Sequence, residues 1–269
     1  MKLRPSRILR ELRTGQNSTV LKLNMGDPRI VELAGLAGAS AVWLCNEHVP
    51  NDWLNLEHQI RAAKLYDMDT IVRVAKGSYS DYIKPFECDA TGIMVPHVTS
   101  THEARSIVDM VRCRPIGSKA LDAGNMDGLF CQVPLADYVQ HCNTEKFIIL
   151  QIESPEALEV VNEIAAVPGY DMLLFGAGDF SHRIGKLGQA THPEVVAARK
   201  KVAAAALKHG KYPAVASLFG QKDQLIEEGT RVFTLGADVL ELGSAFKKLV
   251  SDFGGSAMAA ASDSVYAKK

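Results

Sequence analysis

Short apolar runs alternate along the chain with longer stretches in which apolar residues recur every three or four positions. Val20–Asn24, Ala41–Cys45, Thr70–Val74, Thr91–Pro96, Phe147–Glu153, Met172–Gly176, Ala214–Leu218 and Arg231–Leu235 read as strands. Several are β-branched and apolar almost throughout, as strands of a parallel sheet covered on both faces must be. The stretches between them have helical period. In Pro28–Gly38, the residues Ile30, Val31, Leu33, Ala34 and Leu36 fall on one apolar face. Ser154–Ala166 begins like a helix: Ser154 can cap it, Pro155 suits its first turn, and Glu156 brings negative charge to its positive end. Thr191–His209 is alanine-rich and stops at Gly210, a C-cap signal. Gln224–Glu228 and Leu242–Phe253 complete the series.

Eight strand–helix units in 269 residues match the count of a (β/α)8 TIM barrel, an eight-stranded parallel α/β fold. An open doubly wound sheet shares the same local pattern, so periodicity leaves both architectures open. Cys113–Thr144, interrupted by Pro115, Gly117, Gly124, Gly128 and Pro134, breaks the alternation and is expected as a long loop with a short helix after the fourth strand. No Pro/Gly/Ser-rich linker divides the chain. One barrel domain is expected over residues 1–253, with 254–269 a small-residue tail that frays or serves subunit contacts.

Composition narrows the function. Hydrophobic residues make up 47% and the formal net charge is −1, which excludes disorder and the basic surface of a nucleic-acid binder. The five cysteines are odd in number with no C-x-x-C pair, so neither a disulfide framework nor a zinc pattern is expected. Met1–Gly15 is basic without an apolar core, and no apolar run reaches the roughly 18 residues of a membrane span. A cytoplasmic protein with no membrane partner is expected.

A barrel collects its chemistry at the C-terminal ends of its strands. Strand two ends in Cys45-Asn46-Glu47-His48, strand three contains Arg73, strand five ends in Gln151-Ile152-Glu153, and strand six runs into Gly176-Ala177-Gly178-Asp179. Glu153 and Asp179 lie one βα unit apart, and two carboxylates without Cys or His suit a hard divalent cation; a surface glutamate and a capping aspartate are the alternative. The turn Gly176–Ser181 offers backbone N–H groups to an anion, or is a tight turn that needs glycine. His48 is a candidate base or a hydrogen-bonded structural histidine. An inward Arg73 requires a carboxylate or a substrate anion.

Taken in order, Glu47-His48-x-Pro50, Val72-Arg73, Gly92-x-Met94-Val95-Pro96, Glu103-Ala104-Arg105, Gln151-Ile152-Glu153 and Gly176-x-x-Asp179-x-Ser181 resemble the HpcH/HpaI aldolase family, over Gly15 to Phe253. The resemblance implies a metal-dependent TIM barrel and a class II pyruvate aldolase that forms hexamers, with C-terminal helices exchanged between subunits. Glu153 and Asp179 then match its metal ligands for Mg2+, Mn2+ or Co2+. Arg73 matches the arginine on the pyruvate oxygens, Gln151 a glutamine beside the keto acid, Ala177–Asp179 the carboxylate cradle, and His48 the proton-transfer histidine. The implied reaction cleaves or forms 4-hydroxy-2-oxo acids, with a 2-keto acid and an aldehyde as partners.

The sequence departs from the family pattern near this site. Cys45 stands where the family has an aspartate that pairs with the histidine, Ala177 replaces a proline, Gly178 an alanine, Lys22 a neutral residue, and Lys119-Ala120 an arginine-glycine element. Other readings follow: a Schiff base on Lys22 or Lys119, an oxaloacetate decarboxylase or acyl-CoA lyase on the same metal site, or a keto-acid-binding protein without turnover.

Overall fold

The structure, a computed structural model, describes residues 2–216 and 221–256. Eight parallel strands close into a barrel in chain order. They are β1 (Ser18–Leu23), β2 (Ala41–Cys45), β3 (Asp69–Arg73), β4 (Gly92–Val95), β5 (Phe147–Ile152), β6 (Met172–Phe175), β7 (Tyr212–Ala216) and β8 (Val232–Ala237). Strand β1 pairs with both β2 and β8, so the ring has no edge and the open-sheet alternative is excluded. The expected seventh strand runs on through Ser217 and Leu218, which lie outside the described residues.

The helices are α1 (Arg7–Arg13), α2 (Pro28–Leu36), α3 (Trp53–Lys64), α4 (Tyr79–Glu87), α5 (Thr101–Val111), α6 (Leu135–Thr144), α7 (Pro155–Glu159), α8 (Val161–Ala165), α9 (Ala177–Arg183), α10 (Pro193–Lys208), α11 (Lys222–Glu227) and α12 (Asp238–Asp252). The helix expected over residues 154–166 is broken into α7 and α8 at Val160, whose φ of −103° and ψ of 18° leave the helical range. The break falls at the β-branched pair Val160-Val161, whose restricted side chains disfavour helix. The irregular region after β4 holds a single 3₁₀ turn, Met126–Gly128, followed by α6. Helix α12 starts four residues earlier than expected, at Asp238. The Asp238 carboxylate accepts the backbone N–H groups of Asn24 and Met25, each at 2.8 Å.

Alternation sorts side chains into two cores. Val42, Leu44, Val72, Ile93, Val95, Ile148, Leu150 and Leu173 face outward and join the helices in the larger cluster. Val20, Trp43, Ile71, Met94, Phe147, Ile149, Met172 and Leu174 fill the barrel. Within that filling Gly92 is a fit requirement, since a Cβ there would lie 2.0 Å from the Phe147 ring. The floor is sealed by α1, which sequence periodicity did not single out: Ile8, Leu9 and Leu12 are buried against the interior cluster. Asp69, at the start of β3 and fully buried, anchors this plug. It accepts from Arg4 at 2.6 Å, from Ser6 Oγ at 2.7 Å and from the Ile8 N–H at 2.8 Å.

Helix α12 buries none of its residues, and Phe246, Leu249 and Val250 are exposed on it. Near its start an apolar groove of about 200 Å³ opens between Leu21, Leu23, Ile30, Leu33 and Leu235. All five cysteines are free thiols. Among the described residues no helix is long and apolar enough to cross a membrane.

Candidate active site

Period-two alternation along β2 and β3 turns Cys45 and Arg73 into the barrel mouth, paired in register. Arg73 is 5% exposed. A guanidinium buried this deeply needs partners, and it has them on several sides. Its Nε lies 3.0 Å from Glu47 Oε2, an Nη donates to Cys45 Sγ at 3.1 Å, and its plane sits 4.8 Å from the centre of the Trp43 ring. Cys45 therefore serves Arg73. His48 is held only loosely, with Nε2 at 3.6 Å from Glu47 Oε2 and its side chain 64% exposed.

Glu153 follows β5 and is 1% exposed. Its Oε1 accepts the backbone N–H of His97 at 2.7 Å, and the Gln151 amide nitrogen donates to its Oε2. Burial pushes the Glu153 carboxyl up to about 7; the Asp179 charge adds to the rise, while His97 and Arg73 oppose it. Asp179 is exposed in the first turn of α9 and makes no ion pair among the described residues. Gly176, just before α9, packs against Glu153 and Gln151. A Cβ there would lie 2.6 Å from Glu153 Oε2 and 2.9 Å from the Gln151 amide nitrogen.

A cavity of about 170 Å³ opens at this end of the barrel. It gathers Arg73, Gln151, Ala177, Gly178, Asp179 and, at its mouth, His48, while Glu153 sits behind the wall made by Gln151 and Gly176. Lys22 also lines it, 5.4 Å from the Trp43 ring, its amine pushed down by burial and by the Arg73 charge. Lys119 does not reach this end. Its amine donates to the Tyr138 hydroxyl at 3.0 Å in a separate buried cluster, which removes it as a Schiff-base candidate.

Two residues of the site were not singled out from the sequence. Glu47 was visible only as part of a motif, and its pairing with Arg73 crosses between loops. His97 follows the Val95-Pro96 end of β4, where no ionisable group was sought. Its Nδ1 lies 2.8 Å from Glu153 Oε1 and its Nε2 3.3 Å from Glu47 Oε1.

The donors fit a hard divalent cation. Glu153 and Asp179 are carboxylates, and Gln151 Oε1 is a buried acceptor with no hydrogen-bond partner. Among the described residues no three His, Cys, Asp or Glu form a metal cluster. A cation held by two carboxylates would have coordination positions left for substrate and water, as Mg2+ sites commonly do.

Comparison with known proteins reaches the same ground. Residues 19–245 match the HpcH/HpaI aldolase/citrate lyase family. A hydroxypyruvate/pyruvate aldolase of Pseudomonas aeruginosa is 30% identical, covering 99% of this chain and 100% of its own. A 5-keto-4-deoxy-D-glucarate aldolase of Klebsiella pneumoniae is 31% identical, covering 85% and 89%. The crystal structure of an HpcH/HpaI aldolase from Desulfitobacterium hafniense superimposes with a TM-score of 0.86 at 27% identity, covering 91% of this chain and 95% of its own.

Proposed function

Since the chain belongs to the HpcH/HpaI aldolase/citrate lyase family, we propose that it is a divalent-metal-dependent carbon–carbon lyase that cleaves or forms 4-hydroxy-2-oxo acids through a pyruvate-type enolate. The observation that carries this reading is the convergence of Arg73, Gln151 and Asp179 on one small cavity, with Glu153 directly behind it. Its volume, about 170 Å³, is below that of drug-sized sites, roughly 300–1,000 Å³, and suits a short keto acid.

Glu153 and Asp179 would hold Mg2+, Mn2+ or Co2+, which when bound supplies Lewis acidity toward the keto-acid oxygens. Arg73 adds a fixed positive charge where negative charge develops, and Glu47, Cys45 and Trp43 hold it at the cavity wall. The Gln151 amide lies beside the keto acid. The Ala177–Asp179 turn presents backbone N–H groups to the carboxylate. His48, exposed at the mouth, takes the aldol hydroxyl proton on the aldehyde side. Relatives named as pyruvate and keto-deoxy-sugar aldolases support this choice of substrate class.

Exchange of the pyruvate methyl protons with D2O, followed by NMR, tests the reading without knowledge of the aldehyde. Exchange should stop in EDTA and return with Mg2+, Mn2+ or Co2+. Full exchange in chelator overturns it. Lys22 supports one competing reading, because a desolvated amine at a cavity wall is a Schiff-base candidate. Borohydride reduction with pyruvate would then leave an adduct on Lys22.

The assembly belongs to the same proposal. The bare apolar face of α12 and the apolar groove near its start are surfaces that a second copy of the chain would cover. A homo-oligomer, a hexamer by family resemblance, should appear in light scattering. A monomer at working concentration would reject it.

A further inference from the structure

His97 follows β4 on a left-handed stretch of backbone. Its φ is +55°, in the left-handed region that non-glycine residues adopt uncommonly, asparagine, aspartate and histidine more readily than the rest. Strain of that kind persists only where surrounding contacts hold it. Here they do. The His97 carbonyl accepts from Lys76 Nζ at 2.8 Å, and Lys76 pairs with Glu103 at 2.7 Å. Glu103 lies in the first turn of α5 and also accepts the Thr99 N–H at 3.0 Å. The loop after β4 is thereby fastened to the loop after β3 and to the start of α5.

On the other side His97 makes three approaches to two carboxylates. Its backbone N–H and its Nδ1 both converge on Oε1 of Glu153, at 2.7 and 2.8 Å. The backbone bond is the well-aligned one; the Nδ1 contact is close but off the hydrogen-bond line. Its Nε2 stands 3.3 Å from Oε1 of Glu47, whose other oxygen faces Arg73. One side chain thus ties the ends of β2, β4 and β5 together. It lies between the carboxylate that would hold the cation and the carboxylate that holds the arginine.

We propose that His97 is a positioning residue, fixing Oε1 of Glu153 and coupling it to the Glu47–Arg73 pair. The proposal rests on the metal-binding reading of Glu153. A carboxylate oxygen that receives two contacts from one residue cannot rotate freely, yet a carboxylate has about four lone-pair positions, so it retains room for a cation. Groups that orient a metal ligand in this way commonly change metal affinity by about 10- to 100-fold when removed.

The experiment is a Mn2+ titration by electron paramagnetic resonance on the full chain, in wild type, His97→Ala, His97→Asn and Glu153→Gln. Asparagine accepts the left-handed backbone and its amide nitrogen can stand in for Nδ1, so it also serves where alanine fails to fold. The expected result is a Mn2+ affinity at least about tenfold weaker in His97→Ala, with His97→Asn recovering most of the loss. Unchanged affinity in His97→Ala overturns the proposal and leaves the metal reading intact. Equal loss in both His97 variants also overturns it. A nitrogen coupling to Mn2+ that disappears in His97→Ala would make His97 a ligand and overturn the positioning role. If wild type binds no more Mn2+ than Glu153→Gln, the metal reading itself falls, and this proposal with it.

Discussion

Strand β3 carries a buried charge at each end, Asp69 at its start and Arg73 at its finish, and the barrel treats them differently. Asp69 is enclosed by Arg4, Ser6 and the Ile8 N–H, so that the plug helix α1 and the carboxylate complete each other. Arg73 is also surrounded, but by an aromatic face, a thiol and a carboxylate that leave it at the wall of a cavity. Beside it the buried Gln151 Oε1 has no partner. An unpaired buried polar group is costly, so an acceptor left open at the cavity wall is where the protein can hold polarity for a ligand. At the floor, charge serves the fold; at the mouth, it serves chemistry.

Substitution should separate the two ends. The largest effect is expected from Glu153→Gln, with metal-dependent pyruvate exchange reduced to background while urea unfolding stays within about 1 kcal/mol of wild type, as for a change that keeps shape and removes a buried charge, the Gln151 amide turning over to accept from the new NH2. A large loss of stability in this variant would erase the distinction. Next comes Asp69→Ala, which strands buried donors and breaks a buried pair at a cost of about 3–5 kcal/mol. Its exchange rate per folded molecule should be unchanged, as measured in dilute buffer against the folded fraction from circular dichroism.

Gly176→Ala should give a mixed result. The new Cβ must displace Glu153, costing about 1–3 kcal/mol of stability as overpacking does, and Mn2+ affinity should fall together with it. Wild-type affinity would show that Glu153 adjusts more freely than its contacts imply. The smallest effect is a control in an exposed loop at the mouth. Asp27 caps α2, and its bonds with Arg29 hold its carboxyl down at about 2, against an ordinary 3.8. A depressed folded value means that the stabilisation is present above about pH 3.8 and is lost as pH falls through about 2. Asp27→Asn keeps the cap, so its melting temperature should trail wild type slightly at pH 6 and meet it near pH 2.

Much of the barrel was legible because parallel strands buried on both faces are near-continuous apolar runs, and seven of the eight expected strands lie in the described residues and overlap the observed ones. A charge inside such a run has to point inward or outward as the alternation dictates, which is why Arg73, Gln151 and Glu153 could be placed at the mouth. Helix α1 was not legible. Its buried face is only Ile8, Leu9 and Leu12 within a basic stretch, and its burial depends on a floor that exists only after the barrel closes. His97 was hidden for a related reason. Its position depends on a left-handed backbone turn and on carboxylates from two other strands, and no spacing along the chain encodes either.

The close approach of Gly92 to Phe147 has a consequence for the history of the chain. The two positions are direct neighbours in the β4–β5 ladder, one contributing no side chain and the other a full ring to the same layer of the barrel. Neither can change alone without a clash or a void, so they form one unit of inheritance. Across divergent members of the lineage they should vary together, a larger residue at 92 appearing only where 147 has become smaller.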